Sequence, residues 1–317
     1  MAMKRKQFLY EAEDGTKINA YYWFNDQCQT YQGVVQLAHG MAEHILRYEH
    51  FSSFLVENGF IVYGNDHRGH GGTIQAPDDQ GFFAEKNGFE KVVHDMKLLT
   101  DIVKKEHPNI PVFLFGHSLG SLLSRRYIQL YGDAIDGVIL SGTSGHTGML
   151  GKVGLLLAKL ERKRKGPRTP SPLLDKLTFG GFNKNFTEAR TDFDFLTRDE
   201  AAIDKYVTDK KCGFICTTGL FIDLIHGLDL IHRLSERKKT PKSLPIFLIA
   251  GDQDPVGNNG KAVEDLYEKF QRRGYEEVSF KLYEDARHEI LNELNKEEVY
   301  QDILKWIQVI LKGDHNE

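Results

Sequence analysis

Between residues 113 and 123 the chain reads FLFGHSLGSLL, an apolar strand-like run that meets a serine held between two glycines. A serine there has two readings: it caps the following helix, or it is a nucleophile lifted off the end of a strand. The pentapeptide GHSLG, residues 116–120, fits the second, the strand–turn–helix elbow G-x-S-x-G. So sharp a turn needs Gly116 and Gly120 where side chains would collide. It also leaves the backbone N–H of Leu119 facing any charge that develops on a reacting carbonyl oxygen.

A serine hydroxyl attacks only if a base takes its proton and an acid orients that base. On an elbow of this kind the acid and then the histidine follow the serine, each on a loop after a later strand. IFLIAGDQDPVG (246–257) supplies the acid and VSFKLYEDARHEILNE (278–293) supplies His288. Asp252 and Asp254 compete for the acid's place. Pro255 fixes the chain just beyond Asp254, which favours Asp254 as the partner of His288 and leaves Asp252 to bond backbone N–H groups of the same turn. His315, in the polar tail KGDHNE, is a poor candidate for the base.

An oxyanion needs two donors, and losing one commonly costs about 3–4 kcal/mol of barrier. LAHGMAEH (37–44) follows an earlier strand. There His39 and Gly40 end the strand, Gly40 lets the backbone turn, and the Met41 N–H becomes the second donor beside that of Leu119. NDHRGHGGT (65–73) is rich in glycine but lacks the G-K-[ST] of a phosphate cradle. Asp66 and Arg68 are read instead as internally bonded residues that brace the oxyanion turn.

Strands must position these loops. GVVQLA (33–38), FIVYGND (60–66), VFLFG (112–116), GVILSG (137–142), IFLIAG (246–251) and VSFKLYE (278–284) are nearly continuous in apolar residues, as strands covered on both faces are. Helical spacing runs through 47–58, 89–107, 119–131, 260–273 and 297–312, so strand and helix alternate and an α/β, mostly parallel, doubly wound sheet follows. Alternation around Asp14-Gly15 predicts an antiparallel hairpin at the sheet edge. About 100 residues between the strands at 137 and 246 are too long for a connection and hold helical patterns without a core strand. The chain then divides into a core at 1–143, a helical cap and connection at 144–240, and the rest of the core at 241–317.

Within that cap, Met149, Val153, Leu156, Leu157 and Leu160 form one apolar helical face, expected to lie over Ser118. The helix ends in Arg162, Lys163, Arg164 and Lys165, so it is either a packed cover or a lid resting on an anionic lipid surface.

The 317 residues are 40% hydrophobic and 27% charged, ordinary for a globular chain with a sizeable core. A net charge of −4 does not suggest a nucleic-acid partner. The start, MAMKRKQFLYEAEDG, has no apolar core or small-residue cleavage site, so no secretory leader is expected. Three cysteines argue for a reducing, cytoplasmic setting. Cys212 and Cys216 would share one face of a helix as small packing residues, and no metal site is expected.

HGMAEH, DHRGHG, GHSLG, GDQDPVG and ARHEILNE together resemble the α/β-hydrolase superfamily, and within it the monoacylglycerol-lipase and lysophospholipase-like serine hydrolases of the serine aminopeptidase S33 type. The resemblance spans essentially the whole chain outside the cap. It implies a triad of Ser118, Asp254 and His288, oxyanion donors at Met41 and Leu119, no cofactor, and a small acyl-ester substrate. An acyltransferase or thioesterase would use the same triad, and a non-catalytic binding protein would share the fold.

Overall fold

The computed structural model describes residues 3–146, 148–186 and 189–313, so His315 lies outside the described residues. Strands β1 (Lys4–Glu11), β2 (Lys17–Phe24), β3 (Gly33–Ala38), β4 (Phe60–Asn65), β5 (Val112–His117), β6 (Gly137–Ser141), β7 (Ile246–Gly251) and β8 (Val278–Tyr283) form one sheet in the order β1-β2-β4-β3-β5-β6-β7-β8. The hairpin β1–β2 sits at the edge and pairs antiparallel to β4. Every pairing from β4 through β8 is parallel. Each residue of β3 to β7 is buried, which is why these strands read as unbroken apolar runs.

The helices are α1 (Glu49–Glu57), α2 (Gly88–Glu106), α3 (Leu119–Tyr131), α4 (Gly148–Lys165), α5 (Pro172–Phe179), α6 (Glu200–Thr208), α7 (Thr218–His232), α8 (Leu234–Arg237), α9 (Lys261–Gln271) and α10 (Lys296–Gly313). Val92, Met96, Leu99, Leu123 and Tyr127 of α2 and α3 pack one face of the sheet. Phe51, Leu55, Ile303 and Ile307 of α1 and α10 pack the other. Between β6 and β7 the described residues form helices α4 to α8, with a single isolated bridge, Pro170 to Thr217. Ser171 caps α5 by accepting from the Leu174 N–H at 3.2 Å, and Pro172 occupies the first turn, where its missing N–H costs nothing.

One expectation holds only in part here and another fails. The apolar face of α4 lies over Ser118 only in part: Val153 and Leu157 border the cavity that Ser118 lines, whereas Met149, Leu156 and Leu160 are between 52% and 71% exposed. The helix packs on α7, where a Cβ on Gly154 would touch the Ile225 Cδ1 at 3.7 Å, and Gly151 and Ala158 on α4 are buried. Cys212 and Cys216 share no helix face. They stand in a loop that Gly213 bends with a φ of 64°, Cys212 in a small cap cluster and Cys216 in the main core. Among the described residues no helix is long and apolar enough to cross a membrane.

The elbow leaves no room for side chains at its two glycines. A Cβ on Gly120 would lie 2.0 Å from the Ala38 carbonyl oxygen, and one on Gly116 would lie 2.3 Å from the Ser124 Oγ. Gly120 meets backbone that cannot rotate away. Gly120→Ala is therefore expected to lower stability by about 1–3 kcal/mol or more, read as a lower urea midpoint at unchanged slope.

Candidate active site

Ser118 links β5 to α3 with φ 53° and ψ −118°, a conformation that a non-glycine residue holds only under constraint. Its N–H is fixed to the Ser141 carbonyl at 2.9 Å. The Ser118 Oγ lies 2.9 Å from the His288 Nε2, and the His288 Nδ1 lies 2.9 Å from the Asp254 Oδ2. A carboxylate only accepts, so the Nδ1 carries the proton and the Nε2 lone pair faces the serine O–H. Asp254 is fully buried, and its Oδ1 takes the Val256 N–H at 2.9 Å. Asp252 does not bond the turn's N–H groups as expected. Its Oδ1 accepts from the Gln253 side chain at 3.2 Å, because Asp254 already holds the turn.

Burial alone would lower the pKa of His288, but the Asp254 carboxylate, with Glu289 and Glu43 adding to it, raises it on balance. His117, whose ring centroid lies 4.7 Å from that of His288, is pushed down to about 3 by burial and by His288, and stays neutral. The loop carrying His288 is anchored to the cap, its N–H donating to the Phe195 carbonyl at 3.2 Å.

Gly40 lies against the serine: a Cβ there would be 3.3 Å from the Ser118 Cβ and 2.6 Å from the Glu43 Oε1. Met41 and Leu119 border the cavity with Ser118, and among the described residues neither N–H is bonded to another group. Three neutral histidines clip this turn in place. His39 donates from Nδ1 to the Gly40 carbonyl at 2.7 Å and accepts the His67 N–H on Nε2 at 2.9 Å. The His67 Nε2 donates to the His39 carbonyl at 3.1 Å, and the His70 Nε2 accepts the Ala42 N–H at 3.2 Å. Burial holds all three well below the ordinary histidine range, His67 at about 3 and His70 at about 4.

Asp66 accepts from the Asn19 side chain, the Ile45 N–H and the Gly72 N–H at 2.7–2.9 Å, and so ties the end of the oxyanion loop to the sheet. Arg68 braces something else. It forks onto Asp95 of α2 and Asp14 of the β1–β2 turn at 2.6–3.0 Å, locking the edge hairpin to a core helix rather than the oxyanion turn.

Sequence reasoning missed the residue that joins the two loops of the site. Arg47 binds Glu289, next to His288, through two parallel bonds of 2.6 Å, and binds Glu43 at 2.5 Å. Glu43 accepts the Gly40 N–H and the Tyr48 hydroxyl. Burial opposes both charges, yet Arg47 holds Glu289 well down, while burial keeps Glu43 raised. The only local signal was Glu43 four residues before Arg47.

The cavity over Ser118 has a volume of about 1380 Å³, with Leu122, Leu157, Phe179, Phe221, Leu224 and Leu228 on its walls. Among the described residues His44, Asp209 and Cys212 come within metal-ligand reach of one another. They do not suit an ion. The His44 Nε2 is already bonded to Asp209 at 2.8 Å, and burial raises the Cys212 thiol far above the range in which it ionises. Arg47→Met is expected to cost about 3–5 kcal/mol, since two buried carboxylates lose their counter-ion. Chemical unfolding checks the loss, and Arg47→Lys should recover only part of it.

Known proteins resemble this chain along most of its length. A monoacylglycerol lipase of Mycolicibacterium smegmatis is 26% identical over 311 residues, covering 96% of this chain and 97% of its own. The human monoglyceride lipase is 26% identical over 299 residues, covering 93% and 88%. The crystal structure of a highly thermostable carboxyl esterase from Bacillus coagulans, in complex with glycerol, superposes with a TM-score of 0.88 at 28% identity over 98% of this chain and 99% of that one. The family model described as serine aminopeptidase, S33, matches residues 29–295, and the chain belongs to that family of α/β-hydrolases.

Proposed function

We propose that this chain hydrolyses carboxylic esters of the monoacylglycerol type through an acyl-enzyme on Ser118. The observation that carries the reading is the unbroken chain of bonds from Asp254 through His288 to the Ser118 Oγ, each 2.9 Å, opening on an apolar cavity. His288 takes the serine proton as Ser118 attacks the ester carbonyl, and the N–H groups of Met41 and Leu119 receive the oxyanion. His288 then returns the proton to the leaving alcohol. Water, deprotonated by the same imidazole, releases the fatty acid. The relatives named monoacylglycerol and monoglyceride lipases support the substrate class.

The substrate reaches this site from a lipid surface. Met149, Val153, Leu156 and Leu160 make an exposed stripe on α4, and Leu173 and Leu177 of α5 add two more exposed apolar side chains. Lys152, Lys159 and Lys163 beside the stripe are exposed as well, the combination that seats a helix on anionic headgroups. Three free cysteines suit a reducing compartment, and the cytoplasm is the proposed location.

Fatty-acid release from monoolein tests the reaction. Ser118→Ala should lose about 10⁴-fold or more in kcat, and Asp254→Asn about 10⁴-fold, whereas Asp252→Asn should keep most of the activity. A base must start neutral, so kcat/KM should fall as pH drops through the raised pKa of His288. Asp254→Asn removes the carboxylate that raises it, so that limb should move to lower pH. For the surface, vesicles containing phosphatidylglycerol should sediment the protein at low salt and release it as ionic strength rises. No lipid-dependent sedimentation would remove the interfacial role of α4.

A further inference from the structure

One buried cation in the cavity has no counter-ion among the described residues. Arg125, seven residues after Ser118, lies on the stretch of α3 that runs along the cavity as Leu119, Leu122 and Arg125, about 10 Å of helix from the nucleophile. Its side chain is 4% exposed, yet among the described residues no carboxylate pairs with it. Its Nη1 donates to the Ser144 carbonyl at 2.9 Å and, more weakly, to the Thr143 hydroxyl at 3.4 Å. Its Nη2 donates to the His232 Nε2 at 3.0 Å.

The histidine cannot be an anion. His232 donates from Nδ1 to the Leu228 carbonyl at 2.7 Å, so its Nε2 is the bare acceptor of a neutral ring. Burial and the Arg125 charge push it down to about 3. Burial, with Arg237 adding repulsion, lowers Arg125 only to about 9, so it remains a cation at neutral pH. Of the five guanidinium N–H groups, Nε–H and one Nη2–H have no acceptor among the described residues. The same cavity is lined by Lys261 and Lys269 with Asp265 on α9, and by Asp175 and Asp192, and no ion pair joins any of these carboxylates to Arg125 among the described residues. A desolvated charge left without a partner is costly, and its neighbour Arg126 shows the usual solution by pairing with Glu90 and Glu236.

We propose that Arg125 binds an anionic group of the substrate, so that the preferred ester carries a phosphate or a carboxylate beyond its scissile bond. The proposal rests on the ester-hydrolase reading of the same cavity. A planar guanidinium with two free donors suits a two-oxygen anion, and bonds to a charged partner in a water-poor wall are the strong ones.

The anion has two possible places, the alcohol or the far end of the acyl chain, and the test separates them. Below their critical micelle concentrations, monolauroylglycerol phosphate is compared with monolauroylglycerol, and the monomethyl ester of suberic acid with methyl octanoate. In at least one pair the wild-type kcat/KM should favour the anion about 10–100-fold, and a folded Arg125→Met should abolish that preference. Equal rates within both pairs, or a preference that survives Arg125→Met, would overturn the proposal. Should that variant fail to fold, calorimetry on Ser118→Ala reads the same difference without turnover. It should bind monolauroylglycerol phosphate or monomethyl suberate more tightly than the neutral counterpart, and equal affinities in both pairs would overturn the proposal. If the wild type cleaves none of the four esters, the hydrolase reading fails by itself, and calorimetry still decides the anion site.

Discussion

The backbone at Ser118 is held in a left-handed conformation that an unconstrained serine would leave, at a cost of about 1–3 kcal/mol. Everything near it is arranged so that it cannot relax. The Ser118 N–H is bonded to β6, Gly116 packs against Ser124, and Gly120 lies on the carbonyl of Ala38 at the end of β3. The strained turn therefore requires β5 to lie between β3 and β6, as the sheet order provides. From β3 the chain moves outward to β4, then crosses back to β5 on the other side of β3. A crevice opens at that reversal, where ligands bind in sheets of this type. Loops after β3, β5, β7 and β8 meet there with Gly40, Ser118, Asp254 and His288.

Electrostatics fix what topology brings near. The turn at Gly40 is held by histidines that burial keeps neutral, so each offers one donor and one acceptor without adding charge beside Ser118. The charged element is Arg47, which spans from Glu43 behind the oxyanion turn to Glu289 behind the base. It couples the positions of donor and base by a buried ionic contact, and the neighbouring Tyr48 hydroxyl completes the bonding of Glu43.

The motif residues were legible because their chemistry is local: an elbow is a pentapeptide, and an acid or histidine after a strand end is a short pattern. Choosing Asp254 over Asp252 also rested on a neighbour, Pro255. Arg47 was not legible, since its pair with Glu289 spans 242 residues and no local pattern encodes it. The outward face of α4 was misread for another reason. Periodicity identifies an apolar face but not how much of it packs, and here Val153 and Leu157 reach the cavity while Met149, Leu156 and Leu160 stay exposed. Arg68 was placed in a bonded network correctly, yet its partners lie on α2 and the edge hairpin, which the loop sequence does not name.

The cap thus presents two surfaces of different character, an apolar stripe toward the outside and a cavity wall that meets a cation on α3 with no counter-ion among the described residues. Both matter only if the serine is the group that takes the acyl chain. Mixing the protein with p-nitrophenyl butyrate, quenching in acid within the first turnovers and reading the intact mass tests this most directly. The account predicts one added butyryl group, mapped by peptide sequencing to Ser118, and its accumulation in a pre-steady-state burst where deacylation limits. An acyl group found on another residue, or one that still forms in Ser118→Ala, would contradict it.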